Sequence, residues 1–241
     1  MDSKETQVVV VGAGPGGYAA AFYAADLGKK VILIEKDESL GGVCLNRGCI
    51  PSKALLHATE LIHEAEASAK RGISFGDPKI ELEKLREWKS GILTKLAQGI
   101  SFLAKKRGVE VIKGRGYFDG SNSLRVETDN GQQFIKFEQA IIATGSTSFK
   151  PKSLDLGNPR VMTSRGALEV EEVPDELLVV GGGYIGMELG FVYAGLGSKV
   201  TVIEAMDGIL AGADSDLARP VAAAAKKNFK EIRTGTKVNS M

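Results

Sequence analysis

The chain has 241 residues and a formal net charge of +1 at pH 7, with 31 Lys and Arg against 30 Asp and Glu. Hydrophobic residues make up 43% and charged residues 25% of the sequence, which is typical of a globular protein and excludes a disordered or fibrous chain. The balanced charge argues against nucleic acid or an anionic membrane surface as a partner.

The N-terminal region contains an uncharged run from Thr6 to Ala25 that glycines and one proline interrupt. A membrane-spanning helix tolerates few such interruptions, and the basic and apolar segments of a signal peptide are missing. We therefore predict a cytoplasmic protein without membrane association.

The same run predicts a dinucleotide-binding βαβ unit. Four valines precede Gly12, and the pattern predicts an apolar helix from Tyr18 to Leu27. Gly12 permits a tight turn, Gly14 lets the backbone approach a pyrophosphate, and Gly17 allows the helix to lie close to the strand. Glu35 ends the next predicted strand, where a carboxylate can accept hydrogen bonds from a ribose hydroxyl.

Two cysteines follow, five residues apart, in the segment GGVCLNRGCIPSK. In an ideal helix such residues have Cα atoms about 8.6 Å apart, whereas a disulfide requires about 4.4 to 6.8 Å. Cys44 and Cys49 can therefore bond only across a distorted segment, for which Gly48 provides flexibility. The alternatives are a zinc site with His57 and His63, which has poor ligand spacing, and two inert thiols.

The middle of the chain predicts two helices and then short strands. The helices cover about 51–71 and 80–107, and 109–144 favours a β-meander with turns at Asp119-Gly120 and Asp129-Asn130-Gly131. The second helix is expected to pack against the first. Its apolar face consists of Leu82, Leu85, Ile92, Leu96, Ile100 and Leu103.

A second copy of the βαβ unit lies 169 residues after the first. Thirteen of the 26 positions from Val10 to Glu35 are identical in the later copy, in which Gly181, Gly183 and Gly186 take the roles of the first three glycines. Glu204 is placed for a ribose diol and would repel a 2′-phosphate, so this site is predicted to favour NAD over NADP. Two dinucleotide sites and a dithiol suggest electron transfer between a flavin and a nicotinamide.

These motifs together resemble the pyridine nucleotide-disulfide oxidoreductase family. The redox-active disulfide signature is matched by GGVCLNRGCIPSK, and the resemblance continues through ATGS at 143–146, GAL at 166–168 and GGGYIGMELG at 181–190. The residues LN before GCIPSK resemble the dihydrolipoamide dehydrogenase branch more than the glutathione and mercuric reductases. Val43 departs from the usual Thr of the family, which affects one expected flavin contact.

The resemblance implies an α/β fold with two Rossmann-like, glutathione reductase-like nucleotide-binding domains. The expected FAD-binding domain covers residues 1–148 and includes the inserted helical pair and meander. A connection follows at 149–175, and 176–241 is the first part of an NAD-binding domain. Family members are about twice this length, so both domains are expected to be incomplete.

The resemblance also implies roles for individual residues. Cys49 resembles the thiol that faces the flavin, and Cys44 resembles the interchange thiol that exchanges with the substrate disulfide. Lys53 and Glu188 match an ion pair beside the flavin, and Tyr184 matches the residue that covers it. The residues expected to bind FAD are Gly12, Gly14, Gly17, Glu35, Lys36, Gly42, Gly116, Thr144, Gly145 and Ser146; those expected to bind NAD are Gly181, Gly183, Gly186, Glu204 and Val238.

The implied activity is oxidation of protein-bound dihydrolipoamide with reduction of NAD. Expected partners are the lipoyl domains of 2-oxo acid dehydrogenase or glycine-cleavage complexes, and a second subunit in a full-length homodimer. A related disulfide or mercuric reductase is the alternative. A third interpretation is a truncated nucleotide-binding fragment without turnover, because neither His57 nor His63 can replace the acid/base histidine of the family.

Overall fold

The computed structural model describes residues 3–239 and divides into two compact units. The first unit takes in the chain up to Ile50 together with Ser90–Thr147. The second unit takes in Pro51–Lys89 and the chain from Ser148 onward. Each contains a βαβ copy, so the internal repeat of the sequence corresponds to two α/β sheets.

The first unit is built on a six-stranded sheet with the strand order β3-β2-β1-β6-β5-β4. Parallel pairing joins β3, β2, β1 and β6, and antiparallel pairing joins β6, β5 and β4. The strands are β1 (Ser3–Val11), β2 (Val31–Glu35), β3 (Glu110–Lys113), β4 (Arg115–Gly120), β5 (Ser123–Thr128) and β6 (Gly131–Ile142).

The region expected to form a meander divides between two kinds of pairing. Strands β4, β5 and the first part of β6 form the antiparallel meander. Strand β3 instead pairs in parallel with β2, and β6 runs in parallel along β1 with Val10 opposite Ile141. Residue preferences identify strands but leave their partners open, since these pairings depend on which faces become buried.

Alternate residues of β1 and β2 point into two apolar clusters on opposite faces of the sheet. Val10 and Leu33 pack on one face with Ala21 and Phe22 of the following helix. Val9 and Ile32 pack on the other face with residues of the meander. Burial on both faces explains the continuous apolar sequence of these parallel strands.

The helices of this part of the chain begin slightly earlier than the sequence pattern predicts. Helix α1 is Pro15–Asp26, and it begins at Pro15 rather than Tyr18 because Gly14 is its N-cap and proline suits the first helical position. Helix α2 is Gly42–Arg47, and α3 is Cys49–Ser68.

Helix α4 (Leu82–Lys106) buries only part of the predicted apolar face. Leu82 and Leu85 pack in an apolar cluster with Leu55 of α3, as expected, but Leu96 and Leu103 are exposed. Ala104 is the buried residue near the C-terminal end. The helix contributes to separate clusters at its two ends, so a single stripe does not describe it.

No helix among residues 3–239 is long and apolar enough to cross a membrane.

The second unit contains a three-stranded parallel sheet with the order β7-β8-β9. Its core lies between the sheet and the helices and includes Met187, Val200, Val202 and Phe229. The strands are β7 (Glu176–Val180), β8 (Lys199–Ile203) and β9 (Glu231–Arg233), and the helices are α5 (Ser164–Ala167), α6 (Tyr184–Gly195) and α7 (Ser215–Asn228).

Helices α3 and α6 approach closely within the second unit. A Cβ atom at Gly195 would lie 2.6 Å from Cβ of the buried Thr59. Nearby, the Tyr193 hydroxyl donates to the carbonyl oxygen of Ala167 at 2.9 Å, and burial raises the pKa of Tyr193 to about 12. The end of α6 is thus held by close packing and a buried hydrogen bond.

We predict that Gly195→Ala lowers the free energy of unfolding by about 1–3 kcal/mol, because the added methyl group would overpack the contact with Thr59. Gly99→Ala in α4 is the matched control. No heavy atom lies within 4 Å of its added Cβ, so this variant is expected to gain about 0.5–1 kcal/mol from helix propensity. Urea unfolding measures both, and equal stability of the two variants would contradict the predicted packing.

Candidate functional site

The first glycine turn is so tight that side chains are excluded at two positions. Gly12 has φ +99°, and a Cβ there would lie 2.3 Å from the carbonyl oxygen of Ala143. A Cβ at Gly17 would lie only 1.7 Å from the carbonyl oxygen of Gly12. These contacts place the end of β1 directly against the start of α1.

The N-terminus of α1 can accept an anion. Gly14 is the N-cap, no side chain caps the helix, and the first turn contains no acidic residue. The positive end of the helix dipole is therefore not offset by a carboxylate from the first turn of the helix itself. This arrangement suits a pyrophosphate.

The carboxylate of Glu35 holds the same turn from the end of β2. Glu35 is buried, and its two oxygens accept the N–H groups of Ala13 at 2.7 Å and Asp37 at 2.9 Å. The sequence predicts ribose binding for Glu35 but does not reveal its contact with the turn. Each carboxylate oxygen can accept more than one hydrogen bond, so the two roles are compatible.

Other residues expected to bind FAD lie at the same edge of the first sheet. A Cβ at Gly42 would lie 2.5 Å from Cα of Gly14, and a Cβ at Gly12 would lie 3.1 Å from Cα of Thr144. Gly116 lies on β4 beside Val11. Lys36, Gly145 and Ser146 are exposed and follow directly after Glu35 and Thr144.

The second copy repeats this construction within the second unit. Gly181 has φ +105°, and a Cβ at Gly186 would lie 2.1 Å from the carbonyl oxygen of Gly181. The carboxylate of Glu204 accepts the N–H groups of Gly182 at 2.6 Å and Met206 at 2.7 Å. Both copies therefore combine a tight glycine turn with a carboxylate that holds it.

The remaining residues expected to bind NAD extend from this turn. Gly183 is the N-cap of α6, which has no acidic residue in its first turn and no side-chain cap. Tyr184 follows as the exposed first residue of the helix. The segment that leads to Val238 meets Glu204 through the N–H of Thr236, which donates to the Glu204 carbonyl oxygen at 2.9 Å.

The two copies differ in the strand that flanks the turn. In the first sheet β6 lies beside β1, so Ala143 crowds Gly12. In the second sheet β7 is an edge strand among the described residues, and no described heavy atom lies within 4 Å of the corresponding position at Gly181. Leu178 and Val180 of this edge strand are exposed.

The two cysteines lie on either side of a break between helices. Cys44 is half-buried in α2, and Cys49 is the exposed first residue of α3. Gly48 between them has φ −150° and ψ −111°, which is outside the helical region. The chain is therefore distorted between the cysteines, as a disulfide between them would require; the pairing itself stays a prediction.

Lys53 and Glu188 meet in the second unit. The Lys53 ammonium lies 2.5 Å from Oε1 of Glu188, and the buried hydroxyl of Ser52 donates to Oε2 at 2.9 Å. The sequence gives no signal for Ser52, because its partner Glu188 lies 136 positions away.

The two histidines lie on helix α3, which also carries Lys53. His57 is exposed on α3, and Nδ1 of His63 lies 3.8 Å from the carboxylate of Glu66. Among residues 3–239, no three His, Cys, Asp or Glu side chains are grouped so that they could hold a metal ion.

Comparison with known proteins gives close relatives over almost the whole chain. It is 46% identical over 241 residues to a dihydrolipoyl dehydrogenase of Vibrio parahaemolyticus, covering 99% of this chain and 50% of that protein. A dihydrolipoyl dehydrogenase of Staphylococcus aureus is 46% identical over 230 residues, with 95% and 49% covered. The chain spans about half the length of the curated relatives it matches.

Solved structures give a related result. The HOCl-induced flavoprotein disulfide reductase RclA from Escherichia coli matches with a TM-score of 0.81 and 30% identity, over 97% of this chain and 50% of that one. Its Cu(II) complex matches with a TM-score of 0.79 and 29% identity, over 100% and 51%.

The family profile of the pyridine nucleotide-disulphide oxidoreductases matches residues 6–241. This match, together with the structural similarity to RclA, confirms the α/β fold class that the sequence predicted. The chain belongs to the pyridine nucleotide-disulphide oxidoreductase family of flavoprotein disulfide oxidoreductases.

Proposed function

We propose that this chain forms the nucleotide-binding part of a dihydrolipoyl dehydrogenase, which oxidises protein-bound dihydrolipoamide and reduces NAD. The observation that carries the proposal is the presence of two carboxylate-held glycine turns together with a cysteine pair placed across a helix break. Relatives with this name are 46% identical. This activity is proposed for a protein as long as these relatives, which we call the full-length protein.

The first turn fits FAD. Its helix N-terminus is uncapped, and a side chain at Gly14 would meet only Cα of Gly42, at 3.8 Å, so the space in front of the helix is open. Glu35 would hold the ribose while it holds the turn. The residues proposed to surround the rest of the cofactor are Gly12, Gly17, Lys36, Gly42, Gly116, Thr144, Gly145 and Ser146. When bound, FAD supplies a two-electron acceptor, and NAD supplies a hydride acceptor.

Cys44 and Cys49 are proposed to carry the exchange with substrate. One thiolate of dihydrolipoamide attacks Sγ of Cys44, the Cys44–Cys49 bond breaks, and Cys49 leaves as a thiolate. The second thiolate of the substrate then attacks the substrate sulfur that is bonded to Cys44. The ring disulfide of lipoamide forms, Cys44 leaves as a thiolate, and both cysteines are reduced. Cys49 is the exposed first residue of the 20-residue helix α3.

Lys53 and Glu188 are proposed to act beside the flavin ring. The Lys53 ammonium would supply a positive charge there, and the Glu188 carboxylate compensates that charge. Tyr184 is proposed to cover the flavin until the nicotinamide displaces it. Its position as an exposed first residue of α6 is compatible with a mobile side chain.

NAD is the proposed nicotinamide cofactor. Gly181, Gly183 and Gly186 form the second turn, and Glu204 is held in place by two main-chain N–H groups. A fixed carboxylate cannot turn away from a 2′-phosphate, so repulsion would disfavour NADP. Val238 is proposed to lie beside the bound nucleotide.

The wider assignments follow from the family. We propose an FAD-binding domain at 1–148, a connection at 149–175 and part of an NAD-binding domain at 176–241. The full-length protein is proposed to be a cytoplasmic homodimer that acts on lipoyl domains of 2-oxo acid dehydrogenase or glycine-cleavage complexes. The 241 residues alone are proposed to lack turnover, since they would not supply the acid/base histidine.

A related disulfide or metal-ion reductase is the second candidate function. Its support is the structural similarity to RclA at 30% identity, and one of the similar structures is a Cu(II) complex. The higher identity to dihydrolipoyl dehydrogenases favours the first candidate.

We expect Cys44→Ser to abolish lipoamide-dependent NADH formation by the full-length protein, because without Cys44 the disulfide that the substrate thiolate attacks cannot form. NADH should still reduce the flavin, since that step does not use Cys44. Stopped-flow absorbance separates the two reactions, and mass mapping of the alkylated, oxidised wild type should show the Cys44–Cys49 bond. Parent-like turnover by Cys44→Ser, or greater wild-type activity with Cu(II) or Hg(II) than with lipoamide, would contradict the first candidate.

We expect the wild type to use NAD at least about a hundredfold more efficiently than NADP, because a close charge repulsion is worth several kcal/mol. Glu204→Gln should reduce this ratio about tenfold. It should also lower the thermal stability, though less than loss of the whole side chain does, since the amide oxygen can accept only one of the two main-chain N–H groups. Glu204→Ala is the comparison variant. It removes both hydrogen-bond acceptors and should weaken the binding of both NAD and NADP. Equal kcat/KM for NAD and NADP in the wild type would defeat the assignment.

A further inference from the structure

Ser52 occupies an unusual place beside the Lys53–Glu188 pair. It precedes Lys53 on α3 and is only 5% exposed. Its hydroxyl donates to Oε2 of Glu188 at 2.9 Å, while the ammonium of Lys53 contacts Oε1 at 2.5 Å. Two adjacent residues of one helix therefore bind the two oxygens of one carboxylate on α6.

This division of the carboxylate fixes its rotation. The terminal torsion of a glutamate is broad, so a carboxylate held by one donor can turn. Rotation of the Glu188 carboxylate group out of its present plane would break the contacts with Ser52 and Lys53 together. The hydroxyl thus selects the orientation in which Oε1 faces Lys53.

The ion pair alone is a weak restraint. The side chain of Lys53 is 58% exposed and that of Glu188 is 28% exposed, so water screens their attraction, and ordering a long lysine side chain costs entropy. The hydrogen bond from Ser52 comes from a buried, short side chain that has little freedom to lose. Ser52 therefore restrains the Glu188 carboxylate more firmly than Lys53 does.

We propose that Ser52 is a positioning residue that orients the Glu188 carboxylate and thereby holds the Lys53 ammonium in place for the reaction. This inference rests on the proposed function, in which Lys53 lies beside the flavin. The effect of Ser52 on Lys53 runs through Glu188, which the Ser52 hydroxyl contacts directly. Its removal should therefore resemble a change at Glu188.

The first test uses the 241-residue chain without cofactor and follows acetylation of Lys53 by mass spectrometry at fixed pH. Ser52→Ala should accelerate acetylation about two- to fivefold, the range that corresponds to loss of an exposed ion pair. Ser52→Thr keeps the hydroxyl and should react like the wild type. In a Glu188→Gln background, Ser52→Ala should have no further effect, because its route of action has been removed.

Ser68→Ala is the matched control. It removes a serine hydroxyl from the same helix, where the hydroxyl bonds to the carbonyl oxygens of Ala65 and Ile73. Its Lys53 acetylation rate should equal that of the wild type. An unchanged rate in Ser52→Ala, or additive effects of Ser52→Ala and Glu188→Gln, would overturn the positioning role.

The second test uses the FAD-loaded full-length protein and the long-wavelength absorbance that a thiolate beside oxidised flavin produces on reduction with dihydrolipoamide. Ser52→Ala should reduce this absorbance as Glu188→Gln does, and Ser52→Thr should retain it. If the acetylation result holds but the absorbance of Ser52→Ala equals that of the wild type, the role in the reaction is overturned. If the wild type itself gives no such absorbance, the proposed function is wrong. The acetylation test needs no cofactor, so its result still decides whether Ser52 positions Glu188 and Lys53.

Discussion

The close contact between the first and third glycines of each turn determines how the helix N-terminus lies against the end of the preceding strand. In the first copy the carbonyl oxygen of Gly12 occupies the place that a side chain at Gly17 would need, at 1.7 Å, and in the second copy the corresponding distance between Gly186 and Gly181 is 2.1 Å. The helix N-terminus is consequently held against the end of the strand. A buried carboxylate completes the first turn, and Glu204 completes the second in the same way.

This construction was largely predictable, because it depends on neighbours in sequence. The tight turn at Gly12, the close helix at Gly17 and the acidic residue at Glu35 follow from one short motif, and the repeat 169 residues later confirms the pattern within the sequence itself. The break at Gly48 was also predictable, since two cysteines five residues apart cannot pair within an ideal helix.

Features that depend on distant partners were not predictable. Leu96 and Leu103 have helical spacing, yet they are exposed because α4 contributes to different clusters at its two ends. The parallel pairing of β3 depends on β2, about 75 residues earlier in the chain. The contact between Ser52 and Glu188 joins residues 136 positions apart, so no local pattern could reveal it.

Flavin retention by two alanine variants of the full-length protein tests whether the Gly12–Gly17 contact forms the proposed FAD site. A Cβ at Gly16 would meet no heavy atom within 4 Å, whereas one at Gly17 would collide with the carbonyl oxygen of Gly12. After gel filtration, Gly16→Ala should keep the wild-type ratio of flavin to protein absorbance, and Gly17→Ala should fall to about a tenth or less. Full flavin retention by Gly17→Ala would contradict the account.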